Sequence, residues 1–266
     1  MPEIHPTAIV EPGARLADDV TIGPYCCVGP EVTLGAGVVL QSHVVVTGDT
    51  AIGARTRVFP FASLGQIPQD KKYKGEPARL EIGEDNVIRE GVTMNIGTEG
   101  GGMLTKVGDR GLYMAGAHVG HDCQVGNDVV FANNATLAGH VIVGDFAFLG
   151  GLSAVHQFCR IGQYAMVGGL TGVERDVIPY GMVVGDRARL VGLNLRGLQR
   201  NGFTPDQIRA IRQAYSELFA ADGTQADRIA AVAEHYATDS AVMEIIDFIR
   251  TDSSRRIVQP DAENGA

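Results

Sequence analysis

A mainly β solenoid, a parallel β-helix of about ten three-sided coils followed by an α-helical domain, is the fold this sequence predicts. Three observations carry it. Aliphatic residues recur at every sixth position, glycine is unusually frequent at 35 of 266 residues, and the period is lost near residue 185. Counting in sixes from Ile4 gives Val10, Leu16, Ile22, Val28, Leu34, Leu40, Val46, Ile52, Val58 and Leu64, all aliphatic. Four residues further on in each hexad, a second column is small or β-branched, from Ala8 and Ala14 through Val20 and Cys26 to Thr56 and Ala62. The pattern resumes at Ile82, Ile88 and Met94, then runs from Val107 through Val119, Phe131, Val143 and Val155 to Val173.

A period of six excludes an amphipathic helix, whose apolar positions recur every 3.6 residues. Three hexads close one coil, so residues 18 apart share a column and successive coils stack at about 4.8 Å. Glycine, asparagine and aspartate are expected at the corners, where the turns need unusual backbone angles. Two stretches leave the period, 65–81 and 97–106, and read as loops. Structureless segments of such length in a compact domain are often functional. The run Gly100-Gly101-Gly102 lacks the lysine of a phosphate-binding loop and reads as a flexible hairpin.

The coil is assigned to 1–190 and the helical domain to 191–266. Thr204-Pro205-Asp206-Gln207 has the form of a capping box with proline at the first helical position. It opens Ile208, Ile211, Tyr215 and Leu218 at helical spacing, and further helices are expected around 225–236 and 240–251. The last dozen residues, 255–266, read as frayed.

Net charge is −9, which excludes a generic nucleic-acid binder. No apolar run approaches the ~20 residues of a membrane span, and residues 1–5 have no signal-peptide character. Cys26, Cys123 and Cys159 fall on the small inward column. The last two are two coils apart at about 9.6 Å, too far for a disulfide. A reducing cytoplasm is the expected location. Between Arg187 and Arg212 stand six arginines against the single acid Asp206, a local basic patch suited to a phosphorylated ligand or an acidic protein.

Four of the seven histidines lie between 118 and 156. One column holds His121, Gly139 and Gln157. Its neighbours hold Asp122, His140 and Phe158 on one side and Gly120, Ala138 and His156 on the other. The register therefore gathers His121, His140 and His156 within about 10 Å, with His118 close by. Imidazole titrates near pH 6.5 and serves as a general base at neutral pH. Asp122 stands next to His121 to set its tautomer, and Gly139 offers a backbone N–H with no side chain in the way. A base beside an oxyanion donor points to acyl transfer. Zinc is the rival reading, because γ-class carbonic anhydrases build a three-histidine site on the same kind of coil. Their H-x4-H pair is absent here. Gly150-Gly151 stacks under Gly168-Gly169 and leaves a bare strip where a flat chain can lie.

The hexapeptide resembles that of the left-handed β-helix acyltransferases, so a left-handed coil is implied by that resemblance. The segments HPTAIV (5–10), GQIPQDKKYKGEP (65–77), AHVGHDCQVGN (117–127), FANNATLAGH (131–140), AVHQFCRIG (154–162), MVGG (166–169) and GLNLRGLQRNGF (192–203) resemble the UDP-N-acetylglucosamine acyltransferases. That family opens lipid A biosynthesis by moving an (R)-3-hydroxyacyl group from acyl carrier protein to the sugar 3-OH. The resemblance implies no metal and no cofactor beyond the donor's phosphopantetheine. It also implies a homotrimer with sites between subunits, acidic acyl carrier protein as partner of the arginine patch, and a UDP-sugar acceptor.

By resemblance, His121 is the general base, Asp122 its partner and Gly139 the oxyanion donor. Gln69, Asp70, Lys72, His118, His140, His156 and Gln157 would hold the sugar and diphosphate, the loop carrying Asp70 and Lys72 serving a neighbour's histidines. Asn194 and Arg200 match positions on the nucleotide and carrier side. Gly169 matches the acyl-length position, where glycine implies a long chain. The family's usual Thr-Ile/Val-His-Arg-Gly-Thr reads Thr93-Met94-Asn95-Ile96-Gly97-Thr98 here, and Arg196 and Asn201 also depart from it. The lost His-Arg pair raises an alternative acceptor, the 3-amino analogue of the sugar. The later N-acyltransferase of the same pathway carries an N-terminal uridine-binding domain that these hexads, beginning at Ile4, leave no room for. Acetyl-CoA-dependent hexapeptide transferases lack this histidine array with a helical tail, and a non-catalytic scaffold leaves the histidines idle.

Overall fold

The computed structural model describes residues 1–251 and 253–260. Strands of mostly two residues are joined by turns and stack into three sheets of 11, 9 and 8 strands, parallel but for the last pair of the first, the faces of a prism. The register is the one the hexads dictate: Ile4 lies beside Ile22, Val28 beside Val46, and His118 beside Thr136. The aliphatic column and the small column both point inward. Ile22, Leu34, Leu40, Val20 and Val38 are fully or almost fully buried. Each such aliphatic side chain contributes about 1.5–3 kcal/mol on leaving water. The first coil is the exception, with Ile4 42% exposed, because among the described residues no coil stacks beneath it.

The corners meet expectation in part. The left-handed turn position holds Asp85, Asp122, Asp128, Asn134, Gly37 and Gly116 as expected, and elsewhere bulkier residues, among them Tyr25, His43, Phe61, His140, Phe158 and Tyr164. The glycines after the aliphatic column serve a different need. A Cβ on Gly23 would stand 2.6 Å from the carbonyl oxygen of Gln41 on the next coil, so glycine here permits close stacking.

Both excursions are shorter than the sequence suggests. Strand Ser63–Gln66 runs into the first, and strand Arg79–Ile82 resumes the coil before its expected end, leaving 67–78 as the loop. The second loop is 96–103, with a single 3-10 turn at Glu99–Gly101, and strand Leu104–Val107 follows it. The last coil is shortened by two residues, pairing Met166 with Met182, and ends in an antiparallel hairpin of Gly181–Val184 with Arg189–Leu193.

The helical region holds α1 (Leu195–Arg200), α2 (Pro205–Leu218), α3 (Gln225–His235) and α4 (Ser240–Arg250). The Thr204 capping box is present, a second is formed by Thr224 and Asp227, and α1 is an element the spacing did not reveal. The tail is not frayed through 260. Asp176 N–H donates to Arg256 O, Val258 N–H to Asp176 O, and Ile257 and Val258 are buried. Residues 261–266 lie outside the described residues. Arg160 ties coil to helix, donating to buried Asp176 at 2.7 Å and to the Phe248 carbonyl at 3.1 Å while its guanidinium covers the Phe248 ring.

Candidate active site

The second face of the prism carries His118–Val119, Thr136–Leu137 and Ala154–Val155 on successive coils. Each strand is followed by a turn, and these turns stack His121-Asp122 beneath Gly139-His140 beneath Gln157-Phe158. Their alignment is held by His140 N–H donating to the His121 carbonyl and Phe158 N–H to that of Gly139. The histidines therefore meet because of coil register. The rings of His121 and His140 are edge to face at 4.9 Å, and His140 lies flat on Phe158 at 4.4 Å.

Asp122 is the fixed point. Its side chain is fully buried and its backbone takes a left-handed φ of 60°, pinned by N–H donation to Thr105 Oγ1. Oδ1 accepts the Thr98 backbone N–H at 2.7 Å, and Oδ2 accepts the Thr98 hydroxyl at 2.5 Å. Oδ2 also lies 2.7 Å from His121 Nδ1. An ionised carboxylate only accepts, so Nδ1 carries the proton and Nε2 is left as a bare base. Glycine is required around this carboxylate, since a Cβ on Gly101 would stand 2.0 Å from Asp122 Cγ.

Gly139 has the same relation to the imidazole. A Cβ there would lie 2.5 Å from His121 Nε2. Its N–H has no acceptor among the described residues, so a donor stands beside the base, ready for a developing oxyanion. His118 Nδ1 is 2.7 Å from Thr93 Oγ1, and its pKa is lowered by burial and secondarily by His121. Burial likewise lowers that of His140, outweighing the attraction of Asp122, whose Oδ2 is 3.7 Å away. Both rings are neutral at pH 7. They offer hydrogen bonds rather than charge.

Two hollows adjoin the histidines. One of about 480 Å³ is lined by Gln69, Asp70, Asn95, His118, His121 and Gln157. The other, about 850 Å³, is lined by Tyr73, Glu76, Thr98, His140 and Phe158, and both hollows include Asp70 and Lys72. Loop 67–78 thus approaches the histidines of its own chain. Asp70 Oδ1 accepts the Lys72 N–H, and Glu76 joins the two loops by accepting from Glu99 N–H.

His121, Asp122 and His140 present one ligand atom each within 4.8 Å, a geometry compatible with a metal ion. The carboxylate already accepts from Thr98 twice and from His121. Ligation would cost those bonds, so the donor set suits proton transfer better than metal binding.

His156 sits on the third coil, its Nδ1 2.9 Å from Arg255 Nη2. Asn194, Arg200 and Gly169 do not line the histidine hollows within one chain. Asn194 caps α1 and bonds the Tyr164 carbonyl, Arg200 ends α1, and Gly169 stacks on Gly151 at the opposite edge of the second face. The sequence reading missed Thr98 and Thr105. Thr105 stands one coil before Cys123 on the small inward column, which made it visible as an odd polar residue; Thr98 lies in a loop with no period. The departing residues Asn95 and Ile96 have structural roles: Asn95 donates to the Ile67 carbonyl at 3.2 Å where the loop begins, and Ile96 is buried.

A family model described as "Udp N-acetylglucosamine O-acyltransferase; Domain 2" matches residues 176–258. The acyl-acyl-carrier-protein–UDP-N-acetylglucosamine O-acyltransferase of Rhizobium johnstonii is 49% identical over 257 residues, covering 97% of this chain and 94% of its own. That of Thiobacillus denitrificans is also 49% identical, covering 94% and 96%. The crystal structure of the UDP-N-acetylglucosamine O-acyltransferase from Moraxella catarrhalis superposes with a TM-score of 0.93 at 42% identity over 96% of this chain and 99% of that one. The Francisella novicida UDP-N-acetylglucosamine acyltransferase gives 0.94 at 35% identity over 98% and 95%. These neighbours share the left-handed coil with its helical tail. With likeness running from the first coil to the last helix, the chain belongs to the UDP-N-acetylglucosamine O-acyltransferase family.

Proposed function

We propose that this chain transfers an (R)-3-hydroxyacyl group from acyl carrier protein to the 3-hydroxyl of UDP-N-acetylglucosamine, the first step of lipid A biosynthesis. The observation that carries the reading is the Thr98–Asp122–His121 chain of hydrogen bonds ending beside the free Gly139 N–H. His121 Nε2 takes the proton of the sugar hydroxyl as its oxygen attacks the thioester carbonyl. The tetrahedral oxyanion receives the Gly139 N–H. Collapse breaks the C–S bond, and the phosphopantetheine thiolate leaves with the proton held by the imidazolium. Asp122 stabilises that imidazolium and keeps the ring in one tautomer. Asp70 and Lys72, with Gln69, His118, His140, His156 and Gln157, bind the acceptor. No metal or further cofactor takes part.

The hydroxyl acceptor is preferred over the 3-amino sugar because the named relatives are O-acyltransferases. The γ-carbonic-anhydrase-like zinc enzyme and the non-catalytic scaffold are set aside as well. A homotrimer completes the site, with Asn194, Arg200 and Gly169 of one copy facing the histidines of another; their remoteness within one chain supports this. The enzyme works in the cytoplasm. Among the described residues no helix is long and apolar enough to cross a membrane.

The test is mass-spectrometric turnover with 3-hydroxyacyl carrier proteins and both acceptors in competition. Ester on UDP-N-acetylglucosamine is expected. A predominant amide on the amino sugar, or no product from either, would overturn the assignment.

A further inference from the structure

The end of the coil and the docked tail enclose a hollow of about 500 Å³ on which Arg160, Arg175, Arg250, Arg255 and Arg256 converge, with no acid among its described lining residues. Arg160 is committed to Asp176 and the Phe248 carbonyl. The other four have no carboxylate partner among the described residues, and Arg255 Nε is buried with no hydrogen-bond partner among them. Like charges held this closely repel, and a buried unpaired guanidinium N–H costs about 1–3 kcal/mol or more. A chain of net charge −9 that concentrates unpaired arginines in one concavity has the chemistry of an anion site. Guanidinium forks match the tetrahedral oxygens of a phosphate better than a single carboxylate.

Arg255 also reaches outward. Its Nη2 is 2.9 Å from His156 Nδ1, which also lies 3.2 Å from the Gln157 carbonyl; arginine only donates and a carbonyl only accepts, so the shorter Arg255 contact makes Nδ1 an acceptor at the expense of a bond to Gln157. We propose that the hollow binds a phosphate-class dianion and that Arg255, shared between the hollow and His156, couples its occupancy to the orientation of His156. The dianion satisfies Arg255 Nε together with Arg175 and Arg256, and draws the guanidinium away from the histidine. Both halves of this proposal are independent of the reaction assigned above; only the reading of His156 as an acceptor-binding residue rests on that assignment.

Calorimetric titration of the full chain with inorganic phosphate, at ionic strength held constant with chloride, tests the binding half, with glycerol 3-phosphate as a second arm to separate free phosphate from a phosphate ester. Saturable binding of either is expected, at least tenfold weaker in R175Q/R256Q and unchanged in K72Q. Absence of saturable binding to the wild-type chain overturns the proposal whatever the variants do. So does loss of binding in K72Q with retention in R175Q/R256Q, which places the phosphate at the active site. Nitrogen-15 spectra of the histidines report the coupling. The His156 signals are expected to move with phosphate in the wild type and to stay fixed in R255Q; an immobile His156 in saturated wild type contradicts the coupling.

Discussion

Asp122 Oδ2 stands 2.7 Å from His121 Nδ1, and the carboxylate is held by Thr98, whose hydroxyl donates to the same Oδ2 and whose backbone N–H donates to Oδ1. A loop outside the repeat therefore fixes the tautomer of a histidine inside it. Asp122→Asn should lower kcat by about 10²–10⁴, because the amide presents a donor where Nδ1–H needs an acceptor. Thr98→Val keeps the backbone bond and removes one other, so a loss of about tenfold is expected. Steady-state kinetics on the two variants give the ranking, and a Thr98→Val enzyme slower than Asp122→Asn would break it.

Gly139→Ala is predicted to inactivate without unfolding. The new methyl would occupy the position of the His121 ring, with Nε2 only 2.5 Å away, so the imidazole must swing off its productive line. Overpacking of this kind costs about 1–3 kcal/mol, well within what a chain of this size tolerates. A cooperative melt near the wild-type Tm with kcat reduced at least tenfold is the expected pair of results.

The coil and its histidine columns were legible in the sequence because one period governs both. Once Ile4 through Val173 set the register, His121, Gly139 and Gln157 had to stack. What lies off the period was not legible. Thr98 reaches Asp122 from a loop whose path no spacing encodes, and Arg255 reaches His156 from a tail 99 residues away whose docking depends on Arg160 and Asp176. The corners were legible in part. Asp122, Asn134 and Gly116 take the expected positive φ, whereas Tyr25, His43 and Phe61 hold other corners and stack on one another along the edge, at 5.0 Å between successive rings.

The Arg160–Asp176 pair lies where the coil meets α4 and the tail, Arg160 also donating to the Phe248 carbonyl. Its side chains are 13% and 0% exposed, and Asp176 also accepts the Arg160 backbone N–H. Removing one partner of a buried pair costs about 3–5 kcal/mol, so Asp176→Ala should lower Tm by several degrees and free the tail. Limited proteolysis at residues 251–260 would then precede cleavage of the coil. Unchanged melting and an unchanged digest would refute this.

Stability should fall on mild acidification. Burial depresses the folded pKa values of His118 and His140 below the ~6.5 of an unfolded histidine. The unfolded chain therefore binds more protons in that window. The stabilisation is complete above about pH 6.5 and is lost as pH falls through the lowered folded values. Chemical denaturation between pH 7.5 and 5 should show a flatter profile for His140→Asn than for wild type.

The most direct test of the account is the rate of 3-hydroxyacyl transfer from acyl carrier protein to UDP-N-acetylglucosamine by His121→Ala beside wild type, both verified as folded. Removal of the general base predicts a fall in kcat of at least about 10²–10⁴ with acceptor binding retained. A variant that still forms the ester within tenfold of the wild-type rate would mean that His121 is not the base.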